Sequence, residues 1–206
     1  MIIRKVKILN FKSLRDFEIE FNNDINIIVG NNESGKSTIL EAINLALNGQ
    51  LNGRQAINEI SPYIFNLETV NEYKADLNAG NTPLPPFILI ELYFTSEDPK
   101  LASFKGTDNS EKSNELGIVA SIEFDDRYND EYLSYIENPA QVNNIPTEYF
   151  KFNWHSFSGA SLTKRGIPIT TTLIDASTIR LQYGTDYYIQ KIINDTLDPT
   201  QRTNLS

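Results

Sequence analysis

Eight consecutive residues, Gly30-Asn31-Asn32-Glu33-Ser34-Gly35-Lys36-Ser37, fit the pattern G-x-x-x-x-G-K-[ST] of the phosphate-binding P-loop. Each position has a physical task. The loop turns several backbone N–H groups onto one polyphosphate, and Gly30 and Gly35 permit the φ angles and close approach this needs. A helix beginning near Lys36 adds its dipole and its free N–H groups. Lys36 reaches the β- and γ-phosphates, and the Ser37 hydroxyl completes a magnesium shell. Charge-assisted hydrogen bonds of this kind contribute roughly 1.5–3 kcal/mol each.

Such a loop works only between a buried strand and an amphipathic helix, and the flanking residues supply both. Ile25-Asn26-Ile27-Ile28-Val29 is mostly apolar, as strands buried on both faces are. From Lys36 onward Ile39, Leu40, Ile43 and Leu47 keep helical spacing, and Gly49 predicts the C-cap. Upstream, Ile3, Val6 and Ile8 suggest a strand over 2–9, Asn10 to Leu14 reads as a turn, and Phe17, Ile19 and Phe21 alternate with acidic residues in a second strand.

Farther on the pattern is weaker. Residues 50–80 read as mainly helical with a break at Pro62, and Asn81 to Pro86 as a loop. Phe87 to Phe94 and Leu116 to Phe124 predict two strands, with 96–115 between them as a mobile insertion. Tyr149 to Phe157 and Ile167 to Ile174 alternate, and Ser177 to Leu197 reads as a helix. Asp198-Pro199-Thr200-Gln201 carries a helix-start signature with only five residues after it, which predicts a chain that continues. The 206 residues are therefore expected to form a single, incomplete domain.

Composition narrows the function classes. The chain is 40% hydrophobic and 22% charged, in the range of an ordinary globular protein. Its longest purely apolar run is four residues, Phe87 to Ile90, against roughly 20 for a membrane-spanning helix, so membrane insertion is excluded. No apolar core follows the charged N-terminus as a signal peptide requires, and there are no cysteines, which excludes disulfides and thiolate zinc sites and fits a cytoplasmic location. The net charge of −9 argues against broad electrostatic capture of nucleic acid. Residues 1–54 are nearly balanced, with seven basic and six acidic side chains, so any contact with DNA is expected to be local or made through a larger assembly.

Other chemically capable residues have plainer readings beside the functional ones. His155, the only histidine, lacks a recognisable catalytic partner and reads as a sheet residue. Asp125-Asp126 and Asp130-Glu131 fit a solvated acidic loop better than a metal site. Lys164-Arg165-Gly166 reads as an exposed turn, and Tyr149-Phe150 and Tyr187-Tyr188 as packing positions. Arg180, on the late helix, is a candidate nucleotide or partner contact. No catalytic residue is assigned.

The runs Ile8-Leu9-Asn10-Phe11-Lys12-Ser13-Leu14 and Ile27 to Ile43, with Gly30-Asn31-Asn32-Glu33-Ser34-Gly35-Lys36-Ser37-Thr38-Ile39-Leu40-Glu41-Ala42 at its centre, resemble the N-terminal lobe of SMC/RecF-type ABC ATPases. Within that group the chain looks most like the OLD family of ATP-dependent endonucleases. The resemblance implies an α/β P-loop NTPase lobe of ABC type with a mixed sheet, binding ATP and Mg2+. It places Lys12 and Ser13 near the α-phosphate or base and wraps Asn31 to Thr38 around the phosphates. It further implies heads that self-associate around ATP, a Toprim nuclease after them, and DNA reached through the parent assembly in repair or phage defence. A RecF- or SMC-like repair ATPase without nuclease and a non-hydrolysing dimerisation module are the alternatives. The chain departs from the group downstream: Ile122 to Asp126 is too polar for a Walker B strand, and Thr172 to Ala176 has an aspartate without a following glutamate.

Overall fold

In the computed structural model, residues 2–32, 34–163, 166, 167 and 171 are described. The chain divides into two units at Ile167/Pro168, and the fold below is that of the first. The expectations for the strand to Ile174, the helix over 177–197, Lys164-Arg165, Arg180, Tyr187-Tyr188 and the C-terminal helix start lie outside the described residues.

The first two strands, β1 (Ile2–Phe11) and β2 (Leu14–Glu20), form an antiparallel hairpin. The apolar positions Ile3 and Val6 are an odd number of residues apart, which a regular strand would send to opposite faces. A bulge against β5 (Ile88–Thr95) between Ile3 and Lys5 absorbs the extra residue. From there the sheet runs β2-β1-β5-β7, where β7 (Glu115–Phe124) pairs with β5, with β8 (Phe150–Ser156) and with the two-residue β6 (Lys105–Gly106). The α/β class is as expected, but the sheet, expected to be mixed, pairs antiparallel throughout the described strands.

Register fixes the two faces. Val6, Ile8, Ile90, Leu92, Ile118 and Ala120 are mutual neighbours on one side, all 0–1% exposed. Trp154 is the register partner of Ala120, and its Nε1 donates to the Ala46 carbonyl at 2.8 Å. This bond sets α1 (Lys36–Asn48) against that side. Gly49 ends α1 in the left-handed region, φ 61°, as expected of a C-cap. The buried stripe of α1 is Ile39, Ala42, Leu45, Ala46 and Leu47, whereas Leu40, expected inside, is 47% exposed. Ala42 and Ala46 turn inward instead because small side chains let the helix lie close to the sheet. On the opposite side Tyr93, Val119 and Phe157 form a second cluster, with Tyr93 and Phe157 edge to face at 4.8 Å.

Two expectations are corrected. Ile25 to Val29 is not a buried strand here: no described strand takes its hydrogen bonds, and Ile25, Ile27 and Val29 are 83%, 80% and 83% exposed. Apolar sequence alone does not bury a strand; neighbours on both edges and both faces must exist to cover it. Residues 50–66 are helical only in two short 3-10 turns, not in a continuous helix. Asn52 and Gly53, with φ 52° and 78°, turn β3 (Gln50–Leu51) back onto β4 (Arg54–Gln55), and two 3-10 turns follow. The α-helix of this region, α2, covers only Leu67–Asn78.

The segment 96–115 makes contacts with the sheet. Leu101 and Phe104 are buried, Glu91 on β5 accepts bonds from the Ser110 N–H at 2.6 Å and hydroxyl at 2.7 Å, and Glu111 pairs with Lys5 on β1. The acidic stretch after β7 is likewise structural. Asp125 caps a 3-10 turn and accepts from Arg127 Nε at 2.9 Å, while Asp130 and Glu131 sit in the first turn of α3 (Asn129–Ile136), where the helix dipole favours them. His155 is a sheet residue, register partner of Val119, as read from the sequence.

The Arg127 guanidinium holds the Asp125 carboxyl down at about 2, below its ordinary 3.8. A lowered folded-state value means the pair stabilises the fold above pH 3.8 and is lost as pH falls toward 2. Acid unfolding followed by circular dichroism is expected to show a shallower loss of stability across that window in Asp125→Asn than in the wild type.

Candidate functional site: a phosphate cleft at the start of α1

The chain leaves the exposed Ile25–Val29 segment, turns through Gly30 to Gly35 and enters α1 at Lys36. Gly35 is the N-cap, at φ 86°, a left-handed conformation that side-chain-bearing residues rarely hold. A Cβ there would also stand 3.0 Å from both Leu14 Cδ2 and Ser13 Oγ, so the hairpin turn and the loop meet only across a glycine. Gly30 meets the close-approach part of the expectation and not the φ part: it lies outside the positive-φ set, but a Cβ on it would meet Ser34 Oγ at 2.5 Å. Its role is close approach.

Among the described residues, the first α1 amide with a backbone acceptor is that of Ile39, which donates to Gly35 O at 3.0 Å. The amides of Lys36, Ser37 and Thr38 precede that bond and belong to the orphan donors of a helix start. All three residues line a cleft of about 500 Å³, together with Lys12, Ser13, Asn32, Ser34 and Gly35. Lys36 folds over the loop, and its Nζ donates to Gly30 O at 2.8 Å, Asn31 O at 2.5 Å and Ser34 Oγ at 3.4 Å. Gly30 and Asn31 thus contribute carbonyls to the lysine, while the cleft wall is made by the other residues. Of the residues singled out from the sequence, Glu33 lies outside the described set.

The opposite wall comes from the hairpin turn. Lys12 sits at φ 51°, its N–H donates to Ile64 O at 2.8 Å, and its carbonyl accepts from Asn66 Nδ2 at 2.9 Å. Asn66 also caps α2, accepting from the Glu68 and Thr69 amides. Ser13 Oγ lies 3.3 Å from Thr38 Oγ1, and the Lys12 ammonium pairs with Glu41 on α1. Ile64, Asn66 and Glu41 are the residues that sequence reading did not assign to the site. Only Glu41 had a local signal, being four residues beyond Ser37 and therefore on the same helix face.

A helix start, a lysine folded over the loop and four hydroxyl-bearing residues lining one cleft are groups chemically suited to a polyphosphate and a divalent cation. The fold and the loop are those of a P-loop ATPase lobe. The chain belongs to the AAA domain family, whose model matches residues 5–163.

Among curated proteins it is similar to the DNA double-strand break repair Rad50 ATPase of Thermoplasma acidophilum, 39% identical over 74 residues, which is 36% of this chain and 8% of that protein. The Rad50 ATPase of Methanopyrus kandleri is 54% identical over 46 residues, 22% of this chain and 5% of that protein. The DNA replication and repair protein RecF of Clostridium kluyveri is 44% identical over 43 residues, 21% of this chain and 12% of that protein. The matches therefore span only 5% to 12% of each relative's length. A solved structure from work on ATP-driven dimerization and DNA stimulated activation of SMC ATPases aligns with 98% of this chain and 96% of its own, at TM-score 0.47 and 20% identity. Among the described residues no helix is long and apolar enough to cross a membrane.

Proposed function

We propose that this chain is the ATP- and Mg2+-binding lobe of an ATPase of the SMC/Rad50/RecF type that serves DNA repair. The observation that carries this reading is the cleft itself, lined by Lys36, Ser37 and Thr38 at the start of α1 and by Lys12 and Ser13 across from them. Lys36 neutralises the phosphates, exchanging carbonyl acceptors for phosphate oxygens. Ser37 offers its hydroxyl to magnesium. Asn32, Glu33, Ser34, Gly35 and Thr38 cradle the phosphates, and Lys12 and Ser13 close the far side. In the parent protein, two such heads associate around ATP, DNA is contacted through the assembly, and the setting is cytoplasmic.

Two parents suit the lobe. The likeness to Rad50 and RecF supports a repair ATPase without a nuclease. An OLD-like ATP-dependent endonuclease is the narrower reading, supported by the Asn10-Phe11-Lys12-Ser13 turn and the Gly30 to Ala42 run. Nicking of supercoiled plasmid by the complete parent protein with Mg2+ separates them.

The test of binding is the thermal midpoint of the chain with and without Mg-ATP. Ligand at 100 times its dissociation constant adds about 2.7 kcal/mol, a rise of roughly 5–10 °C for a domain this size. No rise with saturating Mg-ATP would overturn the reading.

A further inference from the structure

We propose that Glu41 is a positioning residue for the nucleotide site: its carboxylate holds the Lys12 ammonium off the cleft and sets how readily that cation is given to a polyphosphate. The inference rests on the nucleotide reading above. Three observations carry it. Lys12 lines the cleft, with its N–H and carbonyl both fixed by Ile64 and Asn66, so its backbone cannot drift. Its ammonium nevertheless pairs with Glu41, which is not a lining residue. The pair is only partly exposed, 29% and 35%, so water does not fully screen it.

Lys36 provides the contrast. Its partners are the carbonyls of Gly30 and Asn31 and the Ser34 hydroxyl, all neutral, and each gives way to a phosphate oxygen without leaving a charge unpaired. Lys12 has to leave a full negative charge. Its ammonium is therefore contested by two anions, the internal carboxylate and the incoming polyphosphate. Only the fraction of chains with Lys12 released binds in the complete mode, and apparent affinity falls by that fraction. A partly exposed ion pair of ordinary strength corresponds to about two- to five-fold.

The experiment is a double-mutant cycle on the full chain, with Mg-ATP affinity measured by isothermal titration calorimetry for wild type, Glu41→Gln, Lys12→Met and the double variant. Lys36→Ala is the control for the cleft. Glu41→Gln keeps the side chain's shape and is expected to bind about two- to five-fold more tightly. Lys12→Met is expected to bind more weakly, and Glu41→Gln to have no effect in that background. Glu41→Asp, which keeps the charge, is expected to stay closer to wild type than Glu41→Gln does. Unchanged or weaker binding by Glu41→Gln, or an equal gain without Lys12, would overturn the proposal while leaving the cleft intact. Wild type that fails to bind Mg-ATP, like Lys36→Ala, would overturn both this proposal and the nucleotide reading.

Discussion

Lys36→Ala is expected to lose the stabilisation by Mg-ATP entirely while folding like the wild type. In the structure the Lys36 ammonium holds the loop together through Gly30 O and Asn31 O, both on the exposed side of the molecule. These bonds join residues at most six positions apart, so their loss costs the free protein about 1 kcal/mol or less. The ligand-bound state loses far more. A lysine shared by two phosphates supplies two charge-assisted bonds worth roughly 1.5–3 kcal/mol each, so affinity falls by a hundredfold or more. Thermal unfolding of wild type and variant, each with and without Mg-ATP, checks both halves. Midpoints that match without ligand and separate with it are the expected pattern, and equal shifts in both proteins would contradict it.

The second large effect lies on the far side of the sheet. Tyr93→Ala is expected to lower stability by about 4 kcal/mol, a large part of the 5–15 kcal/mol typical of a whole domain. Tyr93 is fully buried and meets Phe157 edge to face. Its hydroxyl donates to Glu91 Oε2 at 2.9 Å, and the Lys5 ammonium lies 4.2 Å from its ring centre. Truncation leaves a cavity and removes one of the donors to a buried carboxylate. Tyr93→Phe keeps the ring and isolates the hydroxyl, at about 1–2 kcal/mol. The denaturant midpoints of the two variants separate the contributions.

The same phenol gives an alkaline signature. Burial, followed by the Glu91 charge, pushes the Tyr93 hydroxyl well above its ordinary value of 10.0. A raised folded-state value means its contribution is complete below pH 10.0 and is lost as pH climbs above it. Tyr93→Phe is therefore expected to lose stability less steeply than wild type in that range.

The elements legible in the sequence were those whose periodicity is local. The alternation of Phe17 and Ile19 gives β2, the largely apolar run from Phe87 to Phe94 gives β5, and the apolar spacing after Lys36 gives α1 with its Gly49 cap. The P-loop residues were legible because their spacing is itself the geometry, and Lys36, Ser37 and Thr38 line one cleft with Lys12 and Ser13. What escaped the sequence depends on partners distant along the chain. The apolarity of Ile25 to Val29 is plain, but its exposure is decided by which strands stand beside it. Leu40 and Ala42 both fit a helical stripe, and the closeness of the sheet decides for alanine. Lys12 and Glu41 are 29 residues apart, so only the folded hairpin brings them together. The Asn52-Gly53 turn is the exception: it is a strong hairpin signal, overlooked because the flanking strands are just two residues each.

A polyphosphate bound at the start of α1 must perturb the amides of that first turn. Amide resonances of the isotope-labelled chain, recorded during titration with Mg-ATP, address it at the level of single N–H groups. Saturable shifts centred on Gly35, Lys36, Ser37 and Thr38, with Lys12 and Ser13 following, are the predicted result. Saturating Mg-ATP that leaves those amides unmoved, or moves only residues remote from the cleft, would contradict it.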